Sequence, residues 1–139
     1  MSVKMVRSKL ETKGETDLID ITQMVENSVR DSGISSGIVT IFVPGSTAGV
    51  TTIEYESGAV MDFQRAVERI VPKSIHYDHD ARWGDGNGYS HVRAAFLGSS
   101  LTVPFSSSRL LLGTWQQIVL VDFDNRTRRR ELIFQIMGE

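Results

Sequence analysis

The stretch GTWQQIVLVDF, residues 113–123, decides the fold class. From Trp115 onward its side chains alternate cleanly. Trp115, Gln117, Val119, Val121 and Phe123 fall on one face; Gln116, Ile118, Leu120 and Asp122 fall on the other. Period-two alternation is the mark of a strand, because successive side chains leave a pleated backbone on opposite sides. Here both faces carry large apolar groups, so the pattern predicts a strand buried largely on both sides. The amide of Gln116 would then need an internal or ligand partner, since buried polar groups are hydrogen-bonded.

Further strands follow on either side. Downstream, an Asp124-Asn125 turn leads into a strand over 130–137. Upstream, strands are expected over 91–97 and 101–105, set off by Gly98-Ser99-Ser100 and Ser106-Ser107-Ser108. Ile38–Val43 is β-branched and ends at Pro44-Gly45; Ala48–Tyr55 is the next strand. At the start of the chain, Val3–Leu10 reads as a half-exposed strand, Lys13-Gly14-Glu15 as a turn and Asp17–Asp20 as the second arm of a hairpin. A helix follows, with Asp20 and Gln23 spaced as a capping box, an apolar stripe of Ile21, Met24, Val25, Ser28 and Val29, and Gly33 at the C-cap. A second amphipathic helix spans about 58–71, turns Val60, Phe63, Ala66, Val67 and Ile70 inward, and stops at Pro72. The expected architecture is a single α+β domain over residues 1–139, an antiparallel β-sandwich or sheet core of about eight strands with two amphipathic helices.

Composition narrows the function classes. The chain has no cysteine, which removes disulfides and thiolate chemistry and favours a reducing compartment. A formal charge of −2 argues against nucleic-acid binding, which needs a basic footprint. The basic group Arg126, Arg128, Arg129 and Arg130 flanks a strand and reads as a solvated turn or a subunit contact. No apolar run approaches the ~18 residues of a membrane span, and MSVKMVRSKLETKGE lacks the apolar core of a secretory signal. The expectation is a cytoplasmic protein without a membrane partner, whose Asn125-Arg126-Thr127 sequon is not glycosylated.

The chemistry-bearing stretch is IHYDHDARWGDGNGYSHVRAAFLGSSL, residues 75–101, which holds all three histidines. No apolar periodicity is visible in it before Val92, so it reads as a polar loop on a rigid scaffold, where binding and catalysis concentrate. His79 and His91 flank the glycine-rich turn at 84–88; if the chain folds back there, the imidazoles converge with Asp85 or Asp80 nearby. Such a set suits a divalent metal with open positions or general acid–base work. Histidines merely hydrogen-bonded in a loop explain the residues equally well. The short PGSTAG loop at 44–49 offers backbone N–H groups to an anion, or is a turn with polar filler. Trp83 suits stacking on a heterocycle or plugging the core edge; Arg93 suits a phosphate or a surface ion pair; Glu54 points at a ligand or forms a solvated face with Glu56.

The segments PGSTAGVTTIEYE, HYDHDARWGDGNGYSH, LGSSLTVPF and LLLGTWQQIVLVDFDNRTRRR resemble the YjbQ-like family, described as secondary thiamine-phosphate synthases. The resemblance covers nearly everything from Ile38 onward. It implies an α+β domain with a β-sandwich core, assembled as a homotrimer with sites near subunit boundaries. It also implies a weak transferase activity that joins hydroxymethylpyrimidine diphosphate to a thiazole phosphate and releases pyrophosphate. On this basis His79, His91 and Glu54 are the candidate catalytic groups. Ser46, Thr47, Trp83, Asn87, Arg93 and Gln116 are the candidates for binding a phosphorylated small molecule, and His79, His91 and Asp85 for holding a divalent metal ion. The chain departs from the family at two positions, carrying Gly45 and Tyr89 where many members carry histidine.

Overall fold

The computed structural model describes all 139 residues. In chain order the elements are β1 (Ser2–Thr12), β2 (Asp17–Asp20), α1 (Thr22–Ser32), β3 (Gly37–Phe42), β4 (Ala48–Ile53) and α2 (Ser57–Ile70). They continue with α3 (Asp78–Trp83), α4 (Gly88–Leu97), β5 (Ser100–Ser106), β6 (Arg109–Leu110), β7 (Gln117–Asp122) and β8 (Arg128–Gly138). The eight strands form two antiparallel sheets, one ordered β1-β8-β3-β5-β6 and the other β2-β7-β4.

β7 is the middle strand of the smaller sheet, and every residue from Ile118 to Asp122 is buried. Ile118 and Leu120 face the larger sheet, where they meet Val39, Ile41, Leu132, Phe134 and Ile136; Val25 and Val29 of α1 join the same core. Val119 and Val121 face the other way, onto Phe63 and Val67 of α2 and Ala94 and Leu97 of α4. One alternating strand thus serves two hydrophobic layers, which is why both of its faces are apolar. In the larger sheet, β8 turns Leu132, Phe134 and Ile136 inward, and β3 sets Ile41 opposite Phe134 and Val39 opposite Ile136. Cross-strand pairs of this kind fix the register, because a one-residue slip would turn the whole apolar set outward.

Several expectations are corrected. Residues 91–97 form a helix rather than a strand, and a short helix stands at 78–83. Arg93 and Ser90 share the inward face of α4 with Tyr89 and Ala94, so the buried stripe is helical but partly polar. The strand expected from 113 begins only at Gln117; Gly113–Gln116 is an exposed turn. Asp17–Asp20 pairs with β7, not β1. The chain crosses between sheets at 13–16, where Gly14 (φ 81°), Glu15 (φ 56°) and Thr16 (φ 61°) are left-handed. Gly14 is required there, since a β-carbon would lie 2.5 Å from the Arg126 carbonyl oxygen. The capping box of α1 is absent: Asp20 accepts from the Thr22 N–H and hydroxyl, while Gln23 donates to Asn27. Gly33 does close α1 in the left-handed conformation. Glu56 caps α2 by accepting from the N–H groups of Gly58 and Ala59, and Ile70 points outward, 70% exposed.

Candidate functional site

Two short helices bring the paired histidines together. α3 ends at Gly84 (φ 72°), whose N–H returns to the Asp80 carbonyl. The turn at 84–87 then reverses the chain into α4. The carboxylate of Asp80 accepts from the Gly88 N–H at 2.8 Å, tying the first turn of α3 to the start of α4. Only glycine permits this approach, because a β-carbon at 88 would lie 2.7 Å from Tyr77 Cβ. The rings of His79 and His91 stand 4.4 Å apart between centroids, tilted by 45°. His79 Nδ1 is buried and has no hydrogen-bond partner; the nearest acid, Asp80 Oδ1, is 3.8 Å away, beyond bonding range. The buried hydroxyl of Ser90 and the side-chain oxygen of Asn87 are unpartnered too. Such orphaned groups are uncommon in proteins, and one standing explanation is a water, ion or ligand.

His91 lines a cleft of about 310 Å³ with Gly45, Ser46, Ala48, Ala94, Ala95, Gly98 and Ser99. That size suits a small-molecule site rather than a macromolecular groove. One wall is the C-terminal end of α4 seated on β4, where the Val50 N–H donates to the Gly98 carbonyl at 3.0 Å. The opposite wall is formed by Gly45, Ser46 and Ala48. None of the N–H groups of Gly45, Ser46 and Thr47 donates a hydrogen bond within the protein, through backbone or side-chain acceptors. Adjacent unpaired N–H groups favour an anion.

A buried polar network lies under that turn, and sequence reading missed it. Arg130 is 4% exposed and Asp122 fully buried; the guanidinium meets the carboxylate through two bonds of 2.7 and 2.9 Å. Arg130 Nη2 also donates to Thr47 Oγ1 at 2.7 Å, and Thr47 donates to Asp124 at 3.2 Å. Asp124 further accepts from Asn87 Nδ2 at 3.2 Å and Arg128 Nη1 at 3.1 Å. Thr47 and Asn87, both expected to touch ligand, are therefore anchored from below. The missed signal was phase: Arg130 keeps step with Leu132, Phe134 and Ile136 on the inward face of β8.

Burial raises the pKa of Asp124, but the bonds from Asn87, the Asn125 N–H and Thr47, with the charge of Arg128, outweigh it and hold the carboxyl below its ordinary value of 3.8. A carboxyl depressed in the folded state contributes stability above its unfolded pKa and loses it as pH falls through the folded one. The melting temperature is therefore expected to fall below about pH 4, with a shallower acid limb in Asp124→Asn. An unchanged limb in that variant would count against the assignment.

The remaining candidates lie elsewhere. Glu54 is exposed beyond the far end of β4. At about 3.3 Å per residue it stands roughly 20 Å along the strand from Ala48 at the cleft. Gln116 is exposed, accepts from the Gly113 N–H and donates to Thr52; it lines a separate cavity of about 350 Å³ with Leu111 and Leu112. Trp83 is 64% exposed at the end of α3, with the Arg82 guanidinium over its ring. Asp85 is exposed beside Asn87, Asn125 and Arg126, its carbonyl bonded by Asn125. No third His, Asp or Glu completes a metal-holding group with the two histidines, so Asp85 is not a ligand partner for them.

Arg93 is not available to a phosphate. It is 5% exposed and fully engaged, with two bonds to the Val71 carbonyl, one to Thr16 Oγ1 and a pair with Glu68. Its guanidinium also lies 4.8 Å from the Tyr89 ring centroid. Tyr89 is buried and donates to Glu15 at 2.8 Å; burial first, then that bond, pushes its hydroxyl well above the ordinary value. Position 89 thus serves the clamp on the left-handed residues at 15–16, not the cleft. Arg93→Lys is expected to lose about 2–3 kcal/mol in denaturant unfolding, since an ammonium cannot reproduce the guanidinium fork. Unchanged stability would show that the clamp contributes little.

Two antiparallel sheets, with α1 joining the core between them and α2 and α4 on the outer face of the smaller one, define a small α+β protein in which His91 lines an open cleft beside Gly45 and Ser46. The chain belongs to the YjbQ-like UPF0047 family, whose model matches residues 6–139. It is 38% identical to a UPF0047 protein of Methanothermobacter thermautotrophicus, covering 94% of this chain and 90% of that one. It is 34% identical to the UPF0047 protein YugU of Bacillus subtilis, covering 94% and 96%. Among solved structures, a YbjQ-like protein of unknown function from Sulfolobus solfataricus superposes with a TM-score of 0.90 at 33% identity, covering 99% of this chain and 100% of that one. An uncharacterised family member from Clostridium acetobutylicum gives 0.87 at 32% identity, covering 95% and 99%.

Proposed function

We propose that the cleft lined by His91, with the His79 ring beside it, binds a phosphorylated small molecule and that the protein is a thiamine-phosphate-synthase-like transferase. In that reaction the thiazole nitrogen forms a bond to the pyrimidine methylene carbon while the carbon–oxygen bond to the diphosphate breaks, and pyrophosphate leaves. The observation that carries the reading is that His91, whose ring meets that of His79, lines a cleft together with Gly45 and Ser46, whose N–H groups make no hydrogen bond within the protein. Departure of pyrophosphate builds negative charge, which N–H donors held fixed in the cleft wall would stabilise without reorganisation. Either imidazole can hold or return a proton at the departing oxygen. A divalent ion belongs to the same proposal: His79 and His91 would hold it, with oxygen ligands from outside the pair, and it would supply positive charge to the leaving group.

A homotrimer is also part of this reading. Trp115 and Leu111 are 71% and 60% exposed, apolar surface of a kind that a neighbouring copy would cover. The second reading is a metabolite-binding protein without turnover, favoured by the remoteness of Glu54 and by the two-nitrogen donor set. The deciding experiment supplies the purified protein with both substrates, with and without divalent cations, and follows thiamine phosphate and pyrophosphate together. Equal appearance of the two supports the transferase; binding without product leaves the second reading.

A further inference from the structure

The guanidinium of Arg130, with five N–H donors, is used on only one side. Nε and Nη2 are spent on Asp122 and Thr47. Nη1 makes no hydrogen bond, yet it is not among the sealed, unpartnered polar atoms of the interior. It abuts residue 45, where a β-carbon would lie 3.0 Å from it. Gly45 lines the cleft beside Ser46 and His91. Any side chain at 45 would therefore crowd Nη1, whereas glycine leaves it accessible.

We infer that Arg130 Nη1, left open by Gly45, is the anchoring donor for a phosphate or diphosphate oxygen in the cleft. Arg130 has been given no such role on sequence grounds, and the inference deepens the function proposed above by naming the group that holds the anion. The bidentate bond to Asp122 and the bond to Thr47 lock the guanidinium plane, so the direction of the Nη1 N–H groups is set before a ligand arrives. Asp122 also balances the buried charge of Arg130. Phosphate suits the neighbours: the exposed Ser46 hydroxyl and the unpaired N–H groups of Gly45 and Ser46 are all donors in the cleft wall, and a tetrahedral anion has oxygens enough to meet donors from several directions.

The test is calorimetric titration of inorganic pyrophosphate into the full chain, wild type against Gly45→Ala and Ser46→Ala. A charge-assisted bond of this kind makes about a tenfold or greater weakening in Gly45→Ala the expected result. Because Gly45 has φ 126°, an alanine there also strains the turn, so a second measurement reads binding on the wild-type turn itself. Arginine side-chain NMR, with Arg130 assigned by Arg130→Lys, should show its guanidinium signal move on pyrophosphate addition. No pyrophosphate binding, or binding with the Arg130 signal unmoved, overturns the inference. Product formation with a silent Arg130 would leave the transferase standing and remove this anchor. A responsive Arg130 without turnover would do the reverse.

Discussion

On the proposed transferase reading, His91→Ala is expected to lower the rate of thiamine phosphate formation by about 10²–10⁴-fold while leaving the fold intact, the range typical of losing a positioned acid–base group. The side chain is half-buried, reaches the cleft, and its ring meets only that of His79 among the aromatic groups. Its removal leaves no buried charge unpaired. Circular dichroism and melting temperature should stay close to wild type, and the effect should fall on the turnover number more than on the Michaelis constant for the diphosphate, because the proposed anion donors lie on residues 45–47 and Arg130. The same variant distinguishes the two imidazoles. If His79 shares the work, His79→Ala should be comparably impaired and the double variant little worse, since groups that act as a unit are not additive. A turnover number unchanged in His91→Ala would remove the histidine from the mechanism.

The second large effect is on stability. Asp122→Ala leaves the Arg130 guanidinium in the space between the sheets without its bidentate partner, with only the Thr47 hydroxyl at 2.7 Å and the Asp124 carboxylate at 4.0 Å beside it. Removing one member of a buried ion pair costs about 3–5 kcal/mol, because the other charge stays desolvated. For a domain of this size that corresponds to a fall in melting temperature of roughly 10 °C or more. The pair itself need not be strongly stabilising, since burial of two charges offsets much of their attraction. The combined substitution Asp122→Leu with Arg130→Met is therefore expected to recover most of the loss, while pyrophosphate affinity is not recovered. Scanning calorimetry on the single and double variants decides it. A single variant that melts with the wild type would show that water reaches Arg130 and that the pair is not a buried one.

Much of the fold was legible because two-sided burial writes itself into one strand. The alternation of Ile118–Val121 reported a strand covered on both faces, and both cores meet there. Gly33 as a left-handed cap and the inward stripe of α1 were legible for the same local reason. The helix at 88–97 was not, because its buried face includes Ser90 and Arg93. Apolar periodicity cannot register a buried polar residue whose partners, here Val71, Thr16 and Glu68, lie far away in sequence.

The site divides in the same way. Sequence alone determined the α+β class and the family, and raised the meeting of His79 with His91 as one outcome of a glycine-rich turn that folds back; the tertiary structure decided that the rings do meet. Sequence could not tell which polar residues face the cleft and which face the protein. Glu54 and Gln116 fall elsewhere because β4 runs away from the cleft and the chain turns at 113–116. Arg93 turns from ligand to clamp because its guanidinium meets the carbonyl at the end of α2. Arg130 becomes a candidate anchor only when β8 sets it beneath the turn at 45–47, next to Asp122 of the facing sheet. Covalent spacing limits what neighbours in sequence can do. Which distant groups satisfy a buried charge, and which of its donors remain free, is decided by packing.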